Sequence, residues 1–208
     1  MTRRRLAPDQ SRELILDATE LLMLREGYAA VTARRVAAEG GLTAPLVHYY
    51  YRTTDDLLLA VYRRLADRTR VRLEAALSAK QPLRALWAIN SSPEMAGLAV
   101  EFLALANHRK TIRTEVARIA AEARATEAQA VARIGDRLPT GCPPDVAALL
   151  IAALGRALVM EATIGITESH EDARGYAERL IAMLEPSEGD PGNTIAARNH
   201  SRGTEKTE

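Results

Sequence analysis

The sequence predicts an all-α protein of about nine helices: an N-terminal three-helix unit containing a helix-turn-helix, followed by a helical bundle. Three observations predict it. Apolar residues recur at helical spacing along almost the whole chain, with no convincing alternating run. Ser, Thr, Asp, Pro and Gly fall where such helices would start and stop. Aromatic residues make up only 4%, with one Phe and one Trp, which argues against aromatic-rich β-sandwiches and base-stacking modules.

Taken in order, Asp9 is placed to cap a first helix with Leu14, Ala18, Leu21 and Leu22 on one face, stopping at Gly27. Thr32 caps a short second helix through Val36 and Ala37, and Glu39-Gly-Gly-Leu42 interrupts it. Thr43 caps a third short helix over 44–50, with Pro45 in its first turn, where a missing N–H costs little. Thr53-Thr-Asp-Asp56 reads as a capping box with Asp in place of Glu. It opens a long helix over 54–79 that turns Leu58, Val61, Tyr62, Leu65 and Leu73 inward. Pro82 and Ser92-Pro93 mark two further starts. Ile112, Val116, Ile119, Ala123, Ala130 and Ile134 trace one stripe of the next helix, which ends near Gly135. A loop over 138–144 leads to a helix from Asp145 that is apolar nearly all round. Ser169-His-Glu-Asp172 is a capping signal before Tyr176, Leu180 and Leu184, opening a last helix over 170–184. The domains expected are 1–53, 54–185 and a polar, Pro- and Gly-bearing tail over 186–208, read as disordered.

Composition narrows the function. The 208 residues are 47% hydrophobic and 26% charged, an ordinary globular balance. A single cysteine, Cys142, excludes an internal disulfide framework and a Cys-rich zinc site. The basic N-terminus has no apolar stretch behind it, which speaks against a signal peptide. The weakly charged run 146–160 is broken by Arg156 and reads as too short to span a membrane. A cytoplasmic protein without a membrane partner is the expectation. The net charge of +1 hides an asymmetry: residues 1–72 hold 13 Arg and Lys against 9 Asp and Glu, so the N-terminal third is basic and the remainder acidic. A basic end suits a polyanion, although charge runs also decorate solvated faces.

The second and third helices form a helix-turn-helix, which presents its second helix in a DNA major groove with the N-terminal residues toward the base edges. Thr43 is placed for a phosphate contact. Ala44 and Pro45 are small enough for close approach to a thymine methyl. His48, Tyr49 and Tyr50 carry hydrogen-bonding groups toward the backbone or bases, Tyr50 being divided between contact and packing. Tyr51 reads as core. Thr32, Arg34 and Arg35 lie on the helix that crosses the backbone, where the two arginines are as readily explained as solvated side chains. Arg3, Arg4 and Arg5 form an arm able to reach phosphates or the minor groove.

In the segment from Arg12 to Leu65 the chain resembles the TetR family of bacterial transcriptional regulators. The resemblance is carried by Glu13-Leu-Ile-Leu-Asp-Ala-Thr19, Glu26-Gly-Tyr28, Thr32 with Val36-Ala37, Gly41-Leu-Thr43, Val47-His-Tyr-Tyr-Tyr51 and Thr53-Thr-Asp-Asp-Leu57. It implies that Thr43, Ala44, Pro45, His48 and Tyr49 are recognition-helix contacts. It also implies a homodimer formed by helices 145–166 and 170–184, a small-molecule effector bound in the second domain, and repression relieved by that effector. The chain departs from the family pattern at Val47-His48, where Leu-Tyr is usual, and at Thr54, where Lys is usual.

Independently of the resemblance, a helix apolar on every side must be buried on every side, by a partner or by an ordinary core. The candidate effector contacts are Trp87, Met95, Leu98 and Phe102, then Leu105, His108, Ile119, Met160 and Glu161; a mainly apolar pocket would favour an apolar or amphipathic ligand. No dinucleotide, phosphate-loop or nucleophile-elbow motif is present, so neither an enzyme nor a bound cofactor is expected. A protein-binding helical adaptor would leave the helix-turn-helix idle. A thiol sensor at Cys142 lacks a cationic neighbour in sequence.

Overall fold

The computed structural model describes residues 7–185. The arm of Arg3, Arg4 and Arg5 and the expected tail over 186–208 lie outside the described residues. Among these, nine α-helices and two single 3-10 turns, at Tyr28–Ala30 and Gly135–Arg137, form the whole architecture, and no strand occurs. The helices are α1 Pro8–Glu26, α2 Ala33–Glu39, α3 Ala44–Tyr50, α4 Thr54–Ser78, α5 Pro82–Asn90, α6 Pro93–His108, α7 Lys110–Ala132, α8 Pro144–Thr163 and α9 His170–Leu184.

The starts of α2 and α4 follow the capping chemistry of the sequence. The Thr32 hydroxyl accepts from the Arg35 amide at 3.3 Å. Thr53 and Asp56 exchange both bonds of a capping box, each at 3.0 Å. Gly41 (φ +62°) takes the left-handed turn between α2 and α3 that a side chain would resist.

Four local expectations are corrected. Asp9 lies inside the first turn of α1, because Pro8 starts the helix one residue earlier and Ala7 is its cap. Leu14 and Leu21 are exposed; the buried face is centred on Ile15 and Leu22, one residue round the helix. Helix α8 runs over Pro144–Thr163, with Pro144 rather than Asp145 as its first residue. Ser169 precedes α9 in a left-handed conformation and makes no cap bond, while Tyr176 and Leu180 face outward and Ala177 and Ile181 are buried.

Two apolar clusters hold the chain. The first joins α1–α4 to α6 and the start of α7 around Ile15, Val36, Val47, Leu58, Phe102 and Ile112. The core is therefore continuous across residue 53. The second gathers the far half of α4 with α5, the end of α7, α8 and α9 around Leu73, Leu86, Trp87, Val131, Leu158 and Ile181.

Glu185, at the polar end of the chain, is 2% exposed because its carboxylate accepts from the Leu83 amide at 2.7 Å and the Arg84 amide at 3.1 Å. A carboxylate at the positive end of α5 is favourable, and it satisfies amides that the helix itself leaves free. Replacing Glu185 by Ala leaves those amides without a partner. We expect a loss of about 1–3 kcal/mol in urea unfolding, whereas an unchanged midpoint would show that the cap carries no stability.

The sequence reading took the run 146–160 as too short for a membrane. At 20 residues, α8 is long and apolar enough to cross one by length and composition. In the fold it packs on α5, α6 and α7 through Ala148, Ala152, Gly155, Leu158 and Val159 instead.

Candidate nucleic-acid interface and ligand cleft

Helix α3 is seven residues long and hangs on one anchor: Val47 is 1% exposed and its neighbours Leu42 and Ala44 pack on the first cluster. The opposite side presents Pro45, His48 and Tyr49, at i, i+3 and i+4, to solvent. Tyr49 is 79% exposed. Its ring meets Tyr50 edge-to-face with centroids 5.1 Å apart. Tyr50 is half-buried and carries the Arg12 guanidinium over its ring at 5.5 Å, so packing claims most of this residue. Tyr51 is half-buried against the same cluster, and burial pushes its phenol above the ordinary value. Thr43 precedes α3, and its hydroxyl makes no cap bond.

The arginines divide by partner. Arg35 donates to Glu26 at 2.5 Å, and Arg25 bridges to Glu39 at 2.9 Å, so Arg35 belongs to a network that ties α1 to α2. The hydrogen bond from Arg35, then that from Arg25, holds the Glu26 carboxyl below its ordinary range. Arg34 is exposed and makes no hydrogen bond or ion pair among the described residues. The same holds for Arg52, just beyond α3, which sequence reasoning missed; only its place beside Thr53 hinted at it. Arg34, on α2, and Arg52, two residues beyond α3, are thus exposed cations without a hydrogen bond or ion pair among the described residues.

Long-range contacts fasten this unit to the bundle, among them the pairs of Arg64 with Glu13, Asp17 and Glu20 and of Arg68 with Glu20. The Tyr28 amide donates to Glu101 of α6 at 2.8 Å. Arg109, between α6 and α7, pairs with Asp55 in the first turn of α4.

A cleft of about 540 Å³ opens between α4, the end of α5, α6, α7 and α8. Its apolar wall includes Leu65, Leu73, Ile89, Met95 and Ile119, and Tyr62, whose phenol burial pushes up to about 12. Its mouth carries Arg63, Glu115, Arg118 and Glu122, all paired with one another. Of the expected effector residues, Met95 and Ile119 line this cleft. Leu98, Phe102 and Leu105 do not, being fully buried in the first cluster, where Phe102 packs on Tyr62 with centroids 4.8 Å apart. Trp87 borders a separate shallow cleft with Arg84 and Arg174. His108 is exposed at the end of α6, and Met160 is 47% exposed on α8. Glu161 accepts from His170 across the α8–α9 turn at 2.8 Å. The cleft surface is mainly apolar, and charged side chains from α4, α7 and α8 share its walls. Among the described residues no cluster of His, Cys, Asp and Glu could hold a metal. Cys142 lies half-buried in the loop before α8.

Hydrogen bonds from Arg118 and then Arg63 hold the Glu115 carboxyl down to about 2. A depressed carboxylate stabilises the fold above its ordinary pKa of 4.5 and loses that contribution as pH falls toward 2. Glu115→Gln should therefore reduce wild-type stability at pH 7 and converge with it near pH 2. Parallel unfolding curves across that range would contradict the pairing.

Residues 15–61 match the family model described as bacterial regulatory proteins, tetR family. No curated protein compared with the chain matches it significantly. Solved structures do. A TetR transcription regulator from Haloarcula marismortui is 22% identical with a TM-score of 0.66, over 83% of this chain and 97% of that one. A Saccharomonospora viridis protein described as a transcriptional regulator, in complex with choline, is 21% identical with a TM-score of 0.70, over 83% and 96%. SmeT, the repressor of the Stenotrophomonas maltophilia multidrug efflux pump SmeDEF, is 21% identical with a TM-score of 0.58, over 83% and 87%, and has also been solved with triclosan. At these identities the likeness is one of fold: the TetR fold, with an N-terminal helix-turn-helix.

Proposed function

We infer that this chain is a DNA-binding transcription regulator of the TetR family, working as a homodimer that an organic effector releases from its operator. The observation that carries the reading is α3: a short helix held by Val47, with Pro45, His48 and Tyr49 bare to solvent, in the segment that matches the family model. Thr43, Ala44, Pro45, His48 and Tyr49 read the major groove, Tyr50 supports Tyr49, and Thr32, Arg34 and Arg52 meet phosphates. Arg35 contributes only if it leaves Glu26.

Exposed apolar side chains support the dimer. On α8, Val146, Leu149, Leu150 and Leu154 recur at helical spacing, and on α9 Tyr176, Leu180 and Met183 do the same. A contiguous apolar face on a soluble chain marks an interface, and two copies of one chain form it with two-fold symmetry. Such a dimer sets its recognition helices roughly 34–36 Å apart, or a multiple of that, on an inverted repeat.

The cleft supports effector control. Tyr62, Leu65 and Leu73 of α4 line it, while the first turn of α4 carries Asp55 beside the helix-turn-helix. A ligand that moves α4 therefore moves α3. A coupling of about 1–3 kcal/mol changes operator affinity roughly 5–150-fold, enough for a switch. Repression with cytoplasmic residence is the simplest use of this arrangement. Selection from random duplexes tests the reading. Enrichment of one inverted repeat supports it, and a pool that never converges sinks it.

A further inference from the structure

Arg156 on the cleft wall lacks a hydrogen-bonded or ion-paired carboxylate among the described residues. Both oxygens of Glu127 (7% exposed) are taken: Oε1 accepts from Asn90 at 3.1 Å, and Oε2 from Arg124 at 3.0 Å. Arg124 also donates to the Ala148 carbonyl at 3.0 Å. The acids at the mouth are occupied by Arg63, Arg118 and Arg70. Arg156, on the same cleft wall, has no hydrogen bond or ion pair among the described residues. Desolvation, and then repulsion from Arg124, push its guanidinium below the ordinary value. Attraction from Glu127 opposes these two effects without offsetting them, so this half-buried guanidinium is held at a net cost.

Its position is set by packing. At the preceding residue, Gly155, a Cβ would lie 2.6 Å from the Asn90 carbonyl oxygen, so α8 passes the end of α5 with no room for a side chain. That approach fixes the register that turns Arg156 into the cleft beside Glu127 and Asn90. Leu65, Leu73, Ile89 and Ile119 offer an apolar wall facing it. The volume of about 540 Å³ suits a small organic molecule.

We propose that the cleft binds an amphipathic organic anion, a carboxylate on an apolar body, with Arg156 as the counter-ion of the carboxylate. The proposal rests on the reading of the chain as an effector-controlled regulator and names the class of effector. A planar guanidinium offers a carboxylate two parallel donors, and the ligand charge relieves the repulsion from Arg124. A cationic ligand would have to break an existing Arg–carboxylate pair to find its counter-ion.

Isothermal titration of the full chain without DNA, using decanoate, decanol and decyltrimethylammonium, tests it. One decanoate should bind per chain, decanol at least tenfold more weakly, and decyltrimethylammonium without measurable heat. Arg156→Gln should bind decanoate no better than decanol while melting at or above the wild-type temperature, and Arg156→Lys should recover part of the difference. The proposal is overturned by decanoate failing to bind at millimolar concentration, by equal binding of decanoate and decanol, or by preference for the cation. Unchanged decanoate binding by Arg156→Gln, or a lowered melting temperature that marks Arg156 as a structural residue, overturns it too. Because no DNA is present, these outcomes leave the DNA-binding reading standing or falling on its own tests.

Discussion

A Thr43→Ala, Tyr49→Ala double variant should lose at least roughly 30-fold in affinity for the selected operator, because each lost groove or phosphate contact costs about 1–3 kcal/mol. The fold should be indifferent. Tyr49 is 79% exposed, and the Thr43 hydroxyl caps nothing. The ring contact removed is the edge contact with Tyr50, worth about 0.5–1.5 kcal/mol. A titration against labelled duplex with a melt of the same sample separates the two effects. Tyr49→Phe refines the result: retention of affinity would assign the ring, and loss the hydroxyl. Wild-type affinity in the double variant would remove α3 from the interface. His48 makes a narrower case, standing where the family usually has Tyr.

The second large effect concerns assembly. In Leu150→Asp, Met183→Asp the new carboxylates sit on side chains 61% and 77% exposed in the single chain, so each chain should fold as before. Across a two-fold interface each change occurs twice, and unpaired charges become buried against apolar side chains. The expected mass by sedimentation at micromolar concentration is that of one chain, against two for the wild type. Operator affinity should fall with it by about 10²–10⁴, the gain that joining two binding modules supplies. A wild type that sediments as a single chain, or a variant that remains paired, would move the interface elsewhere. The apolar face of α8 would then need another cover.

The helix-turn-helix was legible because its signals are local. Thr32, Gly41, Thr43 and the Thr53–Asp56 box act within three or four residues, and each does in the structure what its position suggests, apart from the unused Thr43 hydroxyl. The exposed side of α3 followed from Val47 as its one inward residue. What stayed hidden depends on neighbours distant in sequence. Arg34 and Arg35 are adjacent and chemically identical, yet only Arg35 is engaged, by Glu26 of α1. The cleft was misread for a related reason. Large aromatics were expected to line it, but Phe102 is a core residue, and Trp87 lies in the second cluster. Beside Leu65, Leu73 and Ile119, the cleft walls include charged residues of α4 and α7 that periodicity assigns to a solvated face. Arg156 stood out in the sequence only as an interruption of an apolar run. Leu14 and Leu21 show the remaining limit: a helical stripe one residue wide cannot be placed to better than one residue from periodicity alone.

The central claim, that the α3 surface reads sequence rather than merely attracting phosphate, is tested most directly by the salt dependence of binding. Affinity for the selected inverted repeat and for a shuffled duplex of equal length would be measured at 50 and 200 mM salt. Phosphate attraction weakens for both as salt rises, whereas base readout survives. The account predicts a preference of at least about 10³ for the repeat, kept at the higher salt. Two affinities that coincide and fall together would contradict it.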